Sequence, residues 1–299
     1  MILPIITKPI FKTAVWAGTK LSKMYGIDFP VSEAWMLTVR EKDMSEVINP
    51  PYAGKKINEI AEFDDKIKEF PLLVKLIDAE APLSVQVHPD DEYAHSKGEP
   101  YGKTEMWYIL EAEEGAQLVY GLKEGTDKEK MEKALRGGTA SEVLNYVDVK
   151  AGESYFIPAG MVHAIGKGIL IAEIQQNSDT TYRLYDYDRV DKDGNKRPLH
   201  IEDAVKCTKT DICGAERFEA PVIADCEFFK TEKLHCEGTM QFSEKELCHI
   251  LVIEGEGEIT YGSYAFPLEK YSSVTALEGC CEFKINGNVT LLKTVVKHS

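Results

Sequence analysis

Four side chains of the sequence have types and spacing that suit a divalent metal ion. Gln86 and His88 lie two residues apart in an alternating segment, so both leave the same face of a predicted strand. Glu105 begins another predicted strand, and His163 follows a turn rich in glycine and proline. Two imidazoles, a carboxylate and an amide oxygen suit a borderline divalent ion with an open coordination position, zinc being the first choice.

Each of these residues also has a purely structural interpretation. A histidine in a strand is often only a hydrogen-bonded structural residue, and an amide is a poor zinc ligand. The metal-site prediction therefore depends on the four residues in combination. A structural zinc site made only of thiolates is excluded, because the sequence contains no Cys-x-x-Cys pair.

Composition and charge narrow the possible classes of protein. Of the 299 residues, 43% are apolar, which is enough for a packed core. The chain has 35 Lys and Arg against 50 Asp and Glu, a net charge of −15, which argues against binding to nucleic acid or to anionic lipid. No uncharged apolar run approaches the roughly 18–20 residues of a membrane span, and the N-terminus, interrupted by Lys8 and Lys12, does not resemble a signal peptide.

The number and positions of the cysteines indicate a reducing cellular compartment. The sequence has seven cysteines, an odd number, all in its C-terminal third. They are Cys207, Cys213, Cys226, Cys236, Cys248, Cys280 and Cys281. Together with the missing signal peptide, this pattern predicts reduced thiols in a cytoplasmic protein rather than a disulfide framework.

Strand signals dominate the segments that must position these residues. Short β-branched or aromatic runs are bounded by Gly, Pro or Asn-Gly turns, which favours a β-sandwich or barrel. Helices are expected over residues 57–68, 126–144 and 199–207. The second of these opens with the capping-box sequence Thr-Asp-Lys-Glu.

A weak internal repeat predicts two copies of one β-module. Residues 108–121 resemble residues 251–262, since in both an alternating strand ends in Glu, turns at Gly and returns to Tyr-Gly. We place the boundary near residue 212, between an N-terminal domain of residues 1–212 and a C-terminal domain of residues 213–299.

The second copy lacks the metal-binding residues of the first. Cys248 occupies the position that matches Glu105, and residues 268–278 contain no Pro-x-Gly-x-x-His sequence. The C-terminal domain is therefore predicted to be free of metal, with His235 and His249 as ordinary structural or surface residues.

Four motifs in the N-terminal region form a specific combination. Gly-x5-Pro-x-Gly-x2-His, at residues 152–163, resembles the second metal-site motif of cupins, which are small double-sheet barrels. The segment FPLLVKLIDAEAPLSVQVHPD, at residues 70–90, resembles the signature of the type I phosphomannose isomerases in their short prokaryotic form. GKTEMW at residues 102–107 and EIQQNSDTTYR at residues 173–183 fit the same family.

The resemblance implies a fold and an activity. It implies an all-β chain of two cupin (jelly-roll) β-barrel modules, catalytic in the N-terminal domain and metal-free in the C-terminal one, with a small helical insertion near residues 126–145. The implied reaction interconverts mannose 6-phosphate and fructose 6-phosphate through a cis-enediolate, with one Zn²⁺ per chain. The implied partner is a small-molecule sugar phosphate, and both a monomer and a homodimer remain open.

Position by position, the resemblance also implies roles for individual residues. The implied zinc ligands are Gln86, His88, Glu105 and His163. The implied catalytic residues are Arg183, Glu173, Lys103 and Asp179. The implied phosphate-binding residues are Arg183, Arg189 and Lys103. Longer family members carry Thr-Pro-Lys where this chain has residues 185–189, so the role of Arg189 is the least supported.

These roles compete with structural ones. Glu173 and Asp179 are the favoured groups for proton transfer, but Glu173 can equally be a salt-bridged carboxylate. Lys103 can act as a base, hold a substrate hydroxyl or balance a neighbouring carboxylate. Arg183 can form a structural ion pair with Asp179 or Asp186.

Two other functions compete with the isomerase. A cupin oxygenase would use iron at a histidine-rich site and would not need the arginines. A non-catalytic double cupin would bind the sugar phosphate without exchanging its C2 proton. The fold alone does not separate these functions.

Overall fold

The computed structural model of the protein describes residues 2–190, 194–212 and 218–297. Cys213 and residues 191–193 lie outside these ranges. The strands, in chain order, are β1 (Ile5–Lys8), β2 (Ile10–Lys12), β3 (Glu33–Leu37), β4 (Val39–Arg40), β5 (Asp43–Met44), β6 (Glu46–Val47), β7 (Leu72–Ala79), β8 (Val85–Val87), β9 (Glu105–Ala112), β10 (Gln117–Leu122), β11 (Leu144–Asp148), β12 (Ser154–Ile157), β13 (His163–Ile165), β14 (Ile169–Gln176), β15 (Tyr182–Tyr185), β16 (Val222–Asp225), β17 (Phe229–Phe242), β18 (Cys248–Tyr261), β19 (Tyr264–Leu268), β20 (Ser273–Ala276) and β21 (Phe283–Val296). The α-helices are α1 (Lys20–Tyr25), α2 (Asp91–Ser96), α3 (Lys128–Arg136) and α4 (Ile201–Cys207). The all-β prediction is confirmed.

The strands form three large sheets and a two-stranded ribbon. A five-stranded sheet has the order β11-β10-β13-β8-β15. A six-stranded sheet has the order β12-β9-β14-β7-β3-β2. An eight-stranded sheet has the order β16-β17-β21-β18-β20-β1-β6, with β19 paired to β18, and β4 pairs with β5.

Contacts divide the chain into two compact units. The site unit comprises Phe11–Ala34 and Lys75–Glu216, and the C-terminal unit comprises Met1–Ile10, Trp35–Val74 and Arg217–Ser299. This division is discontinuous and differs from the contiguous boundary expected near residue 212. The reason lies in long-range pairing, because β1 pairs with β20 and with β6.

The core of the site unit lies between the five-stranded and six-stranded sheets. Leu118 and Ile165 from the first sheet and Ile109 and Ile171 from the second belong to one buried apolar cluster. The other face of the five-stranded sheet is also covered, because Val85, Val87 and Ala164 pack with residues of α3 and α4. Since both faces of β8 and β13 are buried, a polar side chain on either strand must find a partner.

The core of the C-terminal unit is apolar. Its buried cluster includes Cys248, Ile250 and Val252 from β18, with Val274 from β20 and Leu291 from β21. Alternate residues of β18 thus point into this core, which is the period of a half-buried strand.

The helices agree in part with the expectations. The third helix forms as α4, and the second forms as α3 followed by the 3₁₀ turn Ala140–Glu142. The helix expected over residues 57–68 is replaced by two 3₁₀ turns, Ile57–Glu59 and Ala61–Phe63. Ile57, Ile60 and Phe63 are all buried there, and a spacing of three residues is the period of a 3₁₀ helix. In the described part of the chain, no helix has the length and apolar character of a membrane span.

Candidate functional site

One cross-strand row on the five-stranded sheet gathers three predicted site residues. Gln86 of β8 pairs with His163 of β13 on one side and with Arg183 of β15 on the other. Directly paired residues project from the same face of a sheet. The Gln86 Nε2 atom lies 3.4 Å from Nε2 of His163 and 3.5 Å from Nε2 of His88, which follows β8. The register of three strands therefore brings together residues that are far apart in sequence.

The carboxylate comes from the six-stranded sheet. Glu105 is the first residue of β9 and is fully buried. Its Oε1 atom lies 3.4 Å from His163 Nε2, and its Oε2 atom lies 3.6 Å from His88 Nε2. The two sheets thus supply opposite sides of one cluster.

A glycine allows the turn before β9 to approach the segment that carries His88. A Cβ atom on Gly102 would lie 2.5 Å from the carbonyl carbon of Asp90 and 2.8 Å from the oxygen of Pro89. The next residue, Lys103, donates its backbone N–H to the Pro89 oxygen at 2.9 Å. Only a residue without a side chain fits this approach, which holds Glu105 close to His88.

Both histidines are oriented by backbone carbonyls. The Nδ1 atom of His88 donates to the oxygen of Thr180 at 2.8 Å, and that of His163 donates to the oxygen of Met161 at 2.9 Å. A carbonyl can only accept, so Nδ1 carries the proton and Nε2 presents a lone pair to the cluster. Burial lowers the pKa of His163 to about 4 and the pKa of His88 well below its usual value. Both imidazoles are therefore neutral near pH 7, as metal ligands must be.

The donor set fits a divalent metal ion. Among the described residues, His88, Glu105 and His163 are the only group of three or more His, Cys, Asp or Glu side chains with candidate ligand atoms within 4.8 Å of one another. The Oε1 atom of Glu105 is buried and accepts no hydrogen bond. Donor atoms bound about 2.0–2.1 Å from a tetrahedral centre are about 3.3–3.4 Å apart, close to the separations seen here. Gln86 would join through Oε1 after rotation of its amide group.

Lys103 lies at the edge of this cluster. Its ammonium nitrogen is 2.6 Å from Glu105 Oε2, 3.1 Å from His88 Nε2 and 4.0 Å from Glu173 Oε1. Burial and the charge of Glu173 raise the pKa of Glu105 to about 7, against the opposing effect of Lys103. The lysine therefore balances the carboxylate, one of the alternatives expected from the sequence, and it also lies beside the second acidic group.

Glu173 of β14 is held as an ionised carboxylate. Its Oε1 atom lies 3.1 Å from the ammonium of Lys75, and its Oε2 atom accepts the indole N–H of Trp107 at 3.0 Å. Burial alone would raise the pKa of Glu173, but Lys103 and Lys75 lower it to about 2. Lys75 also lies 3.7 Å from Glu33, so the network contains two lysines, Lys75 and Lys103, and three carboxylates, Glu33, Glu105 and Glu173.

A small cavity adjoins the cluster at Gln86 and Lys103. It has a volume of about 200 Å³ and is lined by apolar, polar and charged residues of the site unit. These include Gln86, Lys75, Lys103, Glu173, Arg183 and Arg197. Arg183 is anchored at its rim, because Nε donates to Ser84 Oγ at 3.2 Å and Nη1 donates to the Pro198 oxygen at 3.0 Å.

Two of the predicted residues lie neither in the cavity lining nor in the histidine cluster. Asp179 is exposed in the loop between β14 and β15 and does not line the cavity. Arg189 donates through Nη1 to the Pro82 oxygen and through Nη2 to Asp186, each at 2.5 Å, and it does not line the cavity either.

Three residues of the site were not singled out from the sequence. Lys75 and Trp107 lie within the motifs quoted above, and a lysine within the otherwise apolar segment of β7 was the available signal for Lys75. Arg197 lies on an irregular segment, and its sequence position gives no comparable signal.

Comparisons with known proteins agree on one family. The family described as "Phosphomannose isomerase type I, catalytic domain" matches residues 7–120. The chain is 38% identical over 305 residues to the mannose-6-phosphate isomerase ManA of Bacillus subtilis, with 95% of this chain and 96% of the relative covered. It is 34% identical to the mannose-6-phosphate isomerase of Streptococcus mutans, covering 99% and 98% of the two chains.

Solved structures show the same fold. The crystal structure of the mannose 6-phosphate isomerase from Bacillus subtilis superposes with a TM-score of 0.87 at 32% identity, covering 98% of this chain and 99% of that one. A structure from Archaeoglobus fulgidus described as a putative mannosephosphate isomerase has a TM-score of 0.80 at 20% identity, over 100% of this chain and 99% of the other.

Proposed function

This chain belongs to the type I phosphomannose isomerase family, and we propose that it interconverts mannose 6-phosphate and fructose 6-phosphate through a cis-enediolate. The observation that carries this proposal is a small cavity lined by the ionised carboxylate of Glu173 and by two arginines. Gln86 and Lys103 also line it, and their side chains contact the neutral two-histidine cluster. The cluster suits a metal, the carboxylate suits proton transfer and the arginines suit a phosphate.

The proposed cofactor is one zinc ion per chain, held by Gln86, His88, Glu105 and His163. Nitrogen and oxygen donors with a substrate-accessible position are typical of catalytic zinc. When bound, such an ion acts as a Lewis acid toward the oxygens at C1 and C2 of the open-chain sugar. The carbonyls of Thr180 and Met161 fix the two imidazole rings for this role.

The proposed proton-transfer group is Glu173. The proton that leaves C2 must return to C1 on the same face of the enediolate, so one fixed base suffices. Lys75 and Trp107 orient the Glu173 carboxylate, and its low pKa keeps it unprotonated before substrate binds. Lys103, 4.0 Å away, would stabilise negative charge on the sugar oxygens beside it.

Variants of these two residues separate their roles. We expect Glu173→Gln to lower kcat by about 100-fold or more and to abolish exchange of the C2 proton with deuterated water. The same variant should keep its metal, since Glu173 is not a proposed ligand. Loss of exchange in Lys103→Met with exchange retained in Glu173→Gln would move the base to the lysine.

An anaerobic assay with mannose 6-phosphate tests the function as a whole. Turnover without oxygen that is lost with a chelator and restored by zinc supports the isomerase. Saturable binding with no turnover would replace it with a sugar-phosphate-binding protein, and turnover that requires oxygen and iron would replace it with an oxygenase.

We also propose a cytoplasmic location for this reaction. All six cysteines in the described part of the chain are free thiols, which is the usual state of cysteine in reducing compartments. Cell fractionation with an antibody to the protein tests this location.

A further inference from the structure

We propose that Arg197 is the second phosphate-binding residue of the cavity, acting with Arg183, and that Arg189 does not contact the substrate. This inference rests on the proposed function for the identity of the ligand, the 6-phosphate of a hexose. It replaces the earlier expectation for Arg189 with a residue to which neither the motifs nor the family signature gave a role.

The first observation is the lining of the cavity. Arg183 and Arg197 both line it, together with Lys75 and Lys103, whereas Arg189 does not. A phosphate dianion needs local positive charge, because the whole chain carries −15. The two arginines supply guanidinium groups that can donate several hydrogen bonds to phosphate oxygens.

The second observation is the way Arg197 is held. Its Nε donates to Asp186 Oδ2 at 2.7 Å, and its Nη2 donates to Asp186 Oδ1 at 2.5 Å. Asp186 is almost completely buried, with a side-chain exposure of 6%. This paired geometry fixes the plane of the guanidinium and uses two of its nitrogens, and the third nitrogen, Nη1, retains two protons to donate.

The third observation is the placement of Arg197 beside Arg183. His200 and Arg183 exchange two hydrogen bonds, from Arg183 N to His200 Nδ1 at 3.1 Å and from His200 N to the Arg183 oxygen at 2.8 Å. Arg183 Nη1 also binds the oxygen of Pro198, the residue after Arg197. The segment 197–200 therefore runs beside β15 and brings the two arginines together.

Two neighbouring guanidinium groups repel each other unless an anion lies between them. Burial and the charge of Arg197 lower the pKa of Arg183. The Ser84 hydroxyl and the Pro198 carbonyl anchor Arg183, and the buried Asp186 carboxylate anchors Arg197, so the pair is held against this repulsion. Such a pair is arranged for an anionic ligand, which would relieve the repulsion on binding.

Arg189 has a different part in the same arrangement. Its Nη2 donates to Asp186 Oδ1 at 2.5 Å, and its guanidinium carbon lies 5.3 Å from the ring centre of Tyr187. Arg189 thus fixes the carboxylate that holds Arg197, which makes it a positioning residue.

The test compares Arg197→Gln with Lys196→Gln as a matched control. Lys196 is the preceding residue, is exposed and pairs with Asp188, so its removal costs the same charge without altering the cavity lining. We expect Arg197→Gln to raise the KM for mannose 6-phosphate and the inhibition constant of inorganic phosphate by about 10- to 100-fold, with kcat changed less than the KM. Bound metal should be unchanged, and Lys196→Gln should stay within about twofold of the unmodified protein on both constants.

A milder variant covers a possible loss of folding. Arg197→Lys keeps the charge but cannot reproduce the fork with Asp186, so we expect an intermediate rise in KM. Equal constants in Arg197→Gln and Lys196→Gln would overturn the proposal. A KM that rises in Arg189→Gln but not in Arg197→Gln would overturn it as well.

Failure of the proposed function is distinguishable from failure of this inference. If the unmodified protein did not turn over mannose 6-phosphate, the isomerase would be refuted. Calorimetric binding of inorganic phosphate to the unmodified protein, weakened in Arg197→Gln, would still support the phosphate site. Equal phosphate binding by the two proteins would overturn it.

Discussion

Two polar cross-strand rows, one in each unit, differ in what they can bind. In the site unit, His163, Gln86 and Arg183 are cross-strand neighbours. In the C-terminal unit, Thr231, Thr294, His249 and Thr275 form a comparable row across β17, β21, β18 and β20. All four of these residues are fully buried.

The side chains of the second row form hydrogen bonds with one another, largely through threonine hydroxyl groups. Thr231 and Thr294 share a hydrogen bond of 2.9 Å between their Oγ1 atoms, and His249 Nδ1 lies 3.1 Å from Thr275 Oγ1. No carboxylate takes part, and Cys248, which matches Glu105 in the repeat, points into the apolar core. A buried polar row therefore becomes a candidate metal site only where a facing strand supplies a carboxylate and nearby cations make its burial tolerable.

The largest expected effect comes from breaking the first row. His163→Ala should lose bound zinc and lower turnover by at least about 100-fold, because even changes to residues that support a metal ligand cost 10- to 100-fold. Elemental analysis and an isomerase assay measure both quantities. His235→Ala, at an exposed histidine of β17, is the matched control and should change neither. A metal-replete, active His163→Ala protein would refute the ligand assignment.

A smaller effect is expected from introducing a carboxylate at Cys248 of β18, the position that matches Glu105. Cys248→Glu should destabilise the protein by about 3–5 kcal/mol, since it buries a charge without a free partner. The nearby cation Lys293 is already paired with Glu232 and Glu244. Burial raises the pKa of the Cys248 thiol to about 12, so the native side chain is neutral there.

Urea unfolding measures this cost. Cys248→Val, which keeps an apolar side chain of similar size, should cost less than about 1.5 kcal/mol. If the glutamate variant were as stable as the valine variant, the lysines around Glu105 would not be needed to explain its burial.

The smallest effect concerns the pH dependence of the second row. Burial lowers the pKa of His249 to about 3, against an ordinary value of 6.5. Below pH 6.5 the unfolded state binds a proton that the folded state does not, so this contribution to stability is complete above pH 6.5 and is lost as the pH falls toward 3. At pH 5 the loss is about 2 kcal/mol.

Removing the imidazole should remove that dependence. The free energy of unfolding of His249→Leu should fall less between pH 7 and pH 5 than that of the unmodified protein, as measured by urea titration. His235→Leu should keep the original dependence. The same decline in both variants would show that other groups cause the acid sensitivity.

The sequence predicted the parts of the site that depend on strand periodicity and turns. The two-residue spacing of Gln86 and His88 and the glycine-proline turn before His163 placed these side chains on strands. The β-class followed from the same signals. The structure then brings the four proposed ligands together through pairings between distant strands.

Features that depend on irregular segments were not predictable in the same way. Tyr187 and Asp188 adopt positive φ angles of 55° and 54°, and this turn brings Arg189 back onto Asp186. The return of Arg197 beside β15 depends on His200, which bonds to the backbone of Arg183. Neither geometry has a periodic signal, because left-handed residues other than glycine and long-range loop contacts are set by tertiary packing.

The pairing of His163 with Gln86 has a consequence for folding. Because successive side chains alternate between faces, a slip of one residue between β8 and β13 would send one of the two donors to the helix-covered face of the sheet. Retention of bound metal is thus a sensitive measure of correct alignment between the two strands. A chain that folds with the strands out of alignment would lack bound metal before any loss of β-structure became visible.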